Sequence, residues 1–566
     1  MNSVFFLVLR RMRAPLIVLI AIYAISVLGL TLVPGVDAGG QPAPPLSIFH
    51  AFYFISYTAT TIGFGEIPGS FSDAQRLWVI VCIYLTVIGW SYSIVTLLAL
   101  FQDKAFQSFL VVARFSRRVR NMHEPFYLVC GCGETGAMVC HALDELDVRF
   151  VVVELRDERV QELDLEDFKT DVPTLAADAR EPSVLALAGL RHAQCRGVLA
   201  LTHDDEANLA IAIAARLLNP ALPALARADS PMTEANMASF GTRRIINPYA
   251  RFADYLGLAV EAPHVMRLIE LLTSLPGQPM PPLRHPPEGA WIVCGHGRFG
   301  KPVVDRLQER RLEVTVIDPG EQKAAVPGAP QHVSGLGTEA ETLLAAGVDH
   351  AAGLVAGTDN DVNNLSIAMT ARDLRPDLFV VMRQNRVANA PLFEAFAAEF
   401  TMVPGRIVAH EALAAINTPL LARFLAIVRG HSDAWARATA DRFAAVFGET
   451  VPYLWRIAIN PAEAPALATV CARAPVTLTV LVRDFRDRNA SLALLPLLLV
   501  REGKELVLPD PATVLQAEDE LLLAGDADAR NGLRTTLANL HALEYVISGI
   551  DRPGGLVWQW LAGRRL

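Results

Sequence analysis

The 566-residue sequence contains no Cys-x-x-Cys pair and no His/Cys run at metal-ligand spacing, which argues against the common structural zinc sites. Its seven cysteines (Cys82, Cys130, Cys132, Cys140, Cys195, Cys294 and Cys471) are scattered, several inside apolar runs. Buried, reduced thiols are the expectation. A basic excess is also missing. Lysine and arginine total 50 against 59 acids, a net charge of −9, so no overall positive field points to nucleic acid as a partner. Charge of either sign is absent from two long stretches near the start. Ala14–Val33 runs for 20 residues and Leu77–Phe101 for 25 without a charged side chain. Each is enough to cross about 30 Å of hydrocarbon as a helix.

What is present then sets the organisation. Hydrophobic residues make up 52% of the chain, and the length allows three or four domains with several cores. Arg10, Arg11 and Arg13 precede the first apolar stretch, as in a secretory signal. That stretch is longer than a usual signal core, and no small-residue cleavage site follows it. A spanning helix is expected. Basic residues also follow the second stretch (Lys104, Arg114, Arg117, Arg118, Arg120), whereas Arg76 is alone among Asp37, Glu66 and Asp73 in between. The bias places both termini in the cytoplasm, in a multi-pass protein of the cell inner (plasma) membrane with lipid as its surroundings.

Between the spans, a turn-rich linker (PGVDAGGQPAPP) leads to LSIFHAFYFISY, Leu46–Tyr57. An apolar and aromatic segment of twelve residues is too short to span but suits a re-entrant helix. TATTIGFGE (Thr58–Glu66) and a polar return, IPGSFSD, follow. Non-helical backbone is tolerated at membrane depth only where protein buries it or it lines a watery path. Its glycines permit conformations that turn successive carbonyls to one side, and a ring of such carbonyls can replace the water around a cation. Gly89, midway along the second span, reads equally as a hinge or as a close-packing contact.

Thr58–Glu66 resembles the selectivity-filter signature of potassium channels, T-x-T-T-V-G-Y-G-D, with Ile62, Phe64 and Glu66 as the departures. The resemblance implies potassium sites formed by Thr61, Ile62, Gly63, Phe64 and Gly65, with the Thr61 hydroxyl as an additional ligand. It also implies a homotetramer, since one chain supplies one quarter of a pore. Tyr57 stands where many relatives carry a glutamate that pairs with the acid after the filter. A bond from its hydroxyl to Glu66 could stand in for that pair.

From Phe126 the pattern becomes strand, glycine turn, helix, strand. Gly131, Gly133 and Gly136 fit G-x-G-x-x-G, and Glu154 ends the next apolar run 23 residues after the first glycine. Such a turn brings a pyrophosphate against backbone N–H groups at a helix N-terminus, and the acid accepts from ribose hydroxyls. The grammar returns with Gly295, Gly297, Gly300 and Asp318, displaced by 164 residues, while Thr202, Asn208, Arg227 and Pro248 recur as Thr358, Asn364, Arg383 and Pro404, displaced by 156. A doubled fingerprint within a co-linear duplication predicts two Rossmann-like lobes.

Two such lobes behind a two-span pore resemble bacterial two-transmembrane potassium channels with tandem RCK (regulator of potassium conductance) domains. The implied architecture is a membrane α-helical pore followed by α/β lobes and a small α+β C-terminal subdomain. The expected divisions are 1–104 for the pore, 105–124 for the link, 125–275 for the first lobe and 276–288 for a Pro-rich linker. The second lobe then occupies 289–430 and the C-terminal subdomain 431–566, where VTLTVLVRDF and LVLPDPATVLQAEDELLLAG read as strand-like. Helices after Pro248 and Pro404 are expected to pair the lobes, and four chains to form an eight-lobe ring.

The resemblance places a dinucleotide in the first lobe. The cradle would be Gly131, Gly133, Glu134, Thr135 and Gly136, with Glu154 on the ribose, Asp178 on the base or ribose side and Arg227 as phosphate counter-charge. In the second lobe Gly295, Gly297, Gly300, Asp318 and Arg383 persist and Arg298 could add a phosphate contact, but HVSGLGTE has no acid matching Asp178. Packing of helix on strand would by itself account for either set of glycines. Glu154 favours NAD or NADH over NADP, because a carboxylate repels a 2′-phosphate. ADP or another adenine nucleotide is an option for the second lobe. The acid-rich HDDE (His203–Glu206) and ELDLED (Glu162–Asp167) could bind Ca²⁺ or form solvated faces. No His/Asp, Ser/Tyr/Lys or metal constellation supports a dehydrogenase, so no enzyme is expected. A regulatory subunit for a separate transporter remains the alternative to a nucleotide-gated channel.

Overall fold

A computed structural model describes residues 2–37, 41–66, 70–242, 244–320, 330–417 and 419–550. Parts of the expected linker (38–40) and polar return (67–69), and the end of the C-terminal subdomain (551–566), lie outside them. The chain divides into two compact units, Met1–Arg118 and Val119–Leu566.

The first unit is built on α1 (Asn2–Leu32), α2 (Ile48–Ala59) and α3 (Asp73–Gln102), followed by α4 (Lys104–Arg120). Met12–Leu32 and Asp73–Gln102 are long and apolar enough to cross a membrane. Ser47 caps α2 and a Ser72–Gln75 capping box opens α3, so both starts are written locally. α1 and α3 lie against each other through small residues. A Cβ on Gly29 would sit 2.1 Å from the Trp78 ring, and one on Gly89 would sit 2.5 Å from Ile22 Cδ1. Gly89 is thus a packing contact inside an unbroken helix.

The second unit holds two parallel six-stranded sheets. In lobe one these are β1 (Phe126–Cys130), β2 (Arg149–Glu154), β3 (Thr174–Ala176), β4 (Cys195–Ala200), β5 (Ala224–Arg227) and β6 (Arg244–Ile246). They lie in the order β3-β2-β1-β4-β5-β6. Lobe two repeats that order with β7 (Trp291–Cys294), β8 (Val314–Ile317), β9 (Gln331–Val333), β10 (Gly353–Ala356), β11 (Phe379–Arg383) and β12 (Phe400–Met402). The central strands are apolar runs buried on both faces, as parallel strands between helices must be. Order reverses between β1 and β4, which opens a crevice at the carboxyl ends of the strands.

α5 (Glu134–Glu145) and α6 (Asp205–Leu218) belong to lobe one, and α8 (Gly300–Glu309) to lobe two. The expected lobe-pairing helices are α7 (Pro248–Glu261) and α9 (Pro404–Asn417), and each packs on the other lobe. Tyr249, Phe252 and Leu256 of α7 join the lobe-two core around Phe299 and Val303. Val408, Ala412 and Leu413 of α9 join the lobe-one core around Val139 and Leu143. Phe252 is 3% exposed. Phe252→Ala should therefore cost about 3–5 kcal/mol and loosen the lobe pair, read as a lower thermal unfolding midpoint and faster amide exchange across α7 and α8.

The C-terminal subdomain carries an antiparallel sheet of β13 (Tyr453–Ala458), β14 (Leu494–Arg501), β15 (Lys504–Val507) and β16 (Glu520–Gly525). VTLTVLVRDF is mostly not strand. Val476–Thr477 forms a two-residue strand and Arg483 a single bridge to Ser491, while Thr479–Val482 forms a helical turn that places Leu481 in the core with Leu515 and Leu543. Burial outweighs the β preference of that run. The Pro-rich linker is tied to this subdomain by backbone bonds from Gly277 to Val451 and from Met280 to Glu449.

Candidate functional site

In the membrane unit, α2 delivers TATTIGFGE. The helix ends at Ala59, and its last carbonyls are used by the segment that follows. Ile62 and Gly63 N–H groups both donate to the Tyr57 carbonyl, at 3.0 and 3.2 Å. The Thr58 and Thr60 hydroxyls donate back to Phe54 and Ser56 carbonyls. Left-handed backbone then recurs at every second residue: φ is +62° at Thr61, +61° at Gly63 and +72° at Gly65, but not at Ile62 or Phe64. Alternation of this kind sets successive N–H groups on one side and carbonyls on the other. Among the described residues other than its chain neighbours, no atom lies within 4 Å of a Cβ built on Gly63 or Gly65, so it is φ that calls for glycine there.

Behind the segment, Tyr57 meets the Phe64 ring edge-on at 6.0 Å and donates its hydroxyl to the Glu66 main-chain carbonyl. The Glu66 carboxylate is taken instead by Tyr53, at 3.1 Å. The expected Tyr57 bond is therefore made to backbone, and Tyr53 is a participant the sequence reading missed. Its position one turn before Tyr57 on the same helical face was the available signal.

In lobe one, the predicted residues gather at the carboxyl edge of β1, β2 and β3. Gly131 has φ +88° and its Cβ would strike Thr202 at 2.6 Å, while a Cβ on Gly136 would lie 2.1 Å from the Gly131 carbonyl oxygen. Both glycines are thus obligatory. Gly133 caps α5 without a side-chain hydrogen bond, which leaves first-turn amides open to an anion. Glu154, 6% exposed, accepts from the Cys132 N–H at 2.6 Å and the Arg156 N–H at 3.2 Å. Asp178 stands at the end of β3, clasped by Arg180, whose guanidinium holds its carboxyl below the usual range.

Arg227 does not stand free as a phosphate counter-charge. It is 3% exposed and forked onto Asp229 at 2.8 and 3.0 Å, with further bonds to Thr135 and His203. Burial and the adjacent Arg227 charge hold His203 below its ordinary pKa. Asp229 is a second residue the sequence reading missed, visible only as the acid two positions after Arg227.

Lobe two repeats the turn. Gly295 has φ +93°, a Cβ on Gly300 would lie 1.8 Å from the Gly295 carbonyl oxygen, and a Cβ on Gly297 meets no described atom beyond its chain neighbours within 4 Å. Asp318 accepts from the His296 N–H at 2.7 Å, as Glu154 does from Cys132. Arg383 differs from its counterpart, because Asn385 occupies the position matching Asp229. Its guanidinium lies 4.9 Å from the Tyr249 ring centre and bonds to the Tyr249 hydroxyl, while its Nε has no hydrogen-bond partner among the described residues. Burial pushes its pKa below the usual arginine value.

Arg298 is the residue expected to add a lobe-two phosphate contact. It leaves its own turn and approaches Asp229 of lobe one, at 3.8 Å. Arg227, Arg298 and Arg383 therefore share one cleft of about 210 Å³ between the lobes, with Glu134, Thr135 and Tyr249. The acid-rich segments do not converge on a cation. Asp204 caps α6, Asp205 accepts from the Asp229 and Ser230 N–H groups, and Glu162 and Glu166 pair with Arg159. Among the described residues no His/Cys/Asp/Glu group is placed to hold a metal ion.

An ion-channel family model matches residues 16–103, and the TrkA-N domain model matches 127–248 and 291–404. Potassium channel protein 1 of Methanocaldococcus jannaschii is 26% identical over 202 residues, 36% of this chain and 59% of that protein. An uncharacterised protein of Methanothermus fervidus is 28% identical over 247 residues, 44% of this chain and 38% of its own length. The chain thus spans less than two thirds of the length of each of these relatives. Among solved structures, the GsuK channel is 19% identical, covering 95% of this chain and 100% of its own, at a TM-score of 0.47. The GsuK channel bound to NAD aligns at 18% identity, with the same coverage and a TM-score of 0.46.

Proposed function

Because this chain belongs to the potassium channels with RCK domains, we propose that it forms a homotetrameric, potassium-selective pore gated by nucleotide bound to its lobes. The observation that carries the pore is the alternating left-handed backbone at Thr61, Gly63 and Gly65, set between two uncharged spans. Four copies around an axis would offer carbonyl rings from Thr61, Ile62, Gly63 and Phe64 to dehydrated potassium ions, with Gly65 completing the turn. The negative end of α2 leads into the same place and favours a cation.

The pore occupies 1–104 in this reading, and the link 105–124 joins it to lobes at 125–275 and 289–430, with the Pro-rich linker between them and the C-terminal subdomain after them. Both termini are cytoplasmic. Exposed Leu217 and Met232 in lobe one and Val362 and Met369 in lobe two supply apolar faces for neighbouring lobes in a ring.

Lobe one is the better nucleotide site. Gly131, Gly133, Glu134, Thr135 and Gly136 cradle phosphates at the open end of α5, and Glu154 and Asp178 take the ribose side. NAD or NADH fits because the buried Glu154 carboxylate opposes a 2′-phosphate. Asp229 already neutralises Arg227, so the counter-charge for phosphate falls to Arg298 and Arg383. Lobe two, without an acid matching Asp178, would hold ADP or a related adenine nucleotide. A nucleotide that prefers one arrangement of the ring shifts the pore by its differential affinity. At ~1–3 kcal/mol per site, four sites together can exceed the ~5.5 kcal/mol that near-complete switching needs.

Planar-bilayer recording under a potassium gradient, with NAD⁺, NADH and ADP added in turn to the cytoplasmic side, tests the proposal. A reversal potential near the potassium value with nucleotide-dependent open probability is the expected result. Selective current indifferent to every nucleotide would remove the gating claim alone. No selective current would return the chain to the transporter-regulator reading.

A further inference from the structure

We propose a second ligand site, for a small organic anion with an apolar body, at the end of the lobe-one sheet opposite its glycine turn. A cavity of about 560 Å³ opens there, beside the amino-terminal ends of β4, β5 and β6. Such a volume lies within the range of small-molecule sites. Tyr127, Pro223 and Ile416 give it apolar walls, and Arg216 and Arg244 are the charged members of its described lining, which includes no carboxylate. Among the described residues the Arg216 guanidinium makes one hydrogen bond, to the Pro220 carbonyl at 3.4 Å. Burial raises the pKa of the Tyr127 hydroxyl, and the nearby Arg244 and Arg196 charges oppose that rise.

The chain contains its own control in lobe two, where the same place is filled. Trp291 replaces Tyr127, Phe379 replaces Pro223 and Phe400 replaces Arg244, at the repeat displacements of 164 and 156 residues. Trp291 is fully buried and meets Phe379 edge-on at 5.8 Å. Arg372, the counterpart of Arg216, is held by both carboxylate oxygens of Glu399 at 2.7 Å. The lobe-one residue matching Glu399 is Arg243, which lies outside the described residues. One lobe has closed the space with its own rings and ion pair. The other keeps the volume and retains the arginine fork, whose geometry suits a carboxylate or sulfonate.

The test is calorimetric titration of the full-length chain in lipid nanodiscs with 2-naphthoate, with empty discs subtracted. One molecule should bind per chain, and the neutral 2-naphthamide should bind roughly tenfold more weakly or worse, the loss of a charge-assisted bond. Tyr127→Trp/Pro223→Phe, which installs the lobe-two rings, should abolish binding. Arg216→Gln alters an exposed side chain, leaves the thermal midpoint unchanged and should weaken binding about tenfold; it decides the matter if the double variant fails to fold. No uptake by the unaltered chain overturns the site, as do equal affinity for the amide and full binding after either substitution.

Discussion

Gly63→Ala should abolish potassium selectivity while leaving nucleotide binding to the lobes at its original strength. The cause is backbone, not crowding. Among the described residues other than its chain neighbours, a Cβ at Gly63 would meet nothing within 4 Å, yet φ there is +61°, where an L-residue pays roughly 1–2 kcal/mol. Repeated in the proposed tetramer, that is on the order of 4–8 kcal/mol per pore. The strain would be relieved by rotating the peptide and withdrawing a carbonyl ring from the ions. Reversal potentials in mixed potassium and sodium should collapse toward zero, and calorimetry with NAD should be unchanged. D-alanine at the same position, comfortable at positive φ, should restore selectivity. Selective, normal current from the L-alanine protein would remove the filter assignment.

The second large effect concerns Glu154. Glu154→Gln keeps the side chain's size but ends the charge-assisted bond to the Cys132 N–H at 2.6 Å and the carboxylate offered to ribose. NAD affinity should fall by roughly 10- to 100-fold, the equivalent of about 1.5–3 kcal/mol. NADP should lose less or gain, since the 2′-phosphate no longer faces a buried negative charge. Reversal potential should stay at the potassium value, because the filter lies in the other unit. Calorimetry with both dinucleotides checks the first expectation and bilayer recording the second. Unchanged preference between NAD and NADP would take Glu154 out of the ribose site.

The features legible from residue order were those in which one short segment fixes its own conformation. Two uncharged runs, a twelve-residue apolar segment and TATTIGFGE became α1, α3, α2 and an alternating left-handed backbone at the expected places. The glycine turns were equally plain, because Gly131, Gly136 and Gly300 leave no room for a side chain and Gly295 sits at a φ of +93°. A fixed displacement between the two sets made the duplication, and hence two like sheets, legible in residue order.

Tertiary structure decided what depended on residues far apart in the chain. It exchanged α7 and α9 between the lobes, burying Phe252 and Leu413 in cores their own strands do not form. Nothing in an amphipathic helix states which apolar surface it will cover. It paired Arg227 with Asp229 and turned Arg298 toward the same acid, although by motif alone each arginine was a phosphate ligand. A long cation settles where desolvation and its nearest carboxylate balance, and that is a property of the packed lobes. The run VTLTVLVRDF yielded its strand preference for the same reason, once Leu481 had a core to enter. Sequence alone therefore determined the pore segment, the turns and the repeat, where backbone sterics act within a few residues. Packing decided how the lobes join and which charges stay available to a ligand, because burial and ion pairing are settled between distant segments.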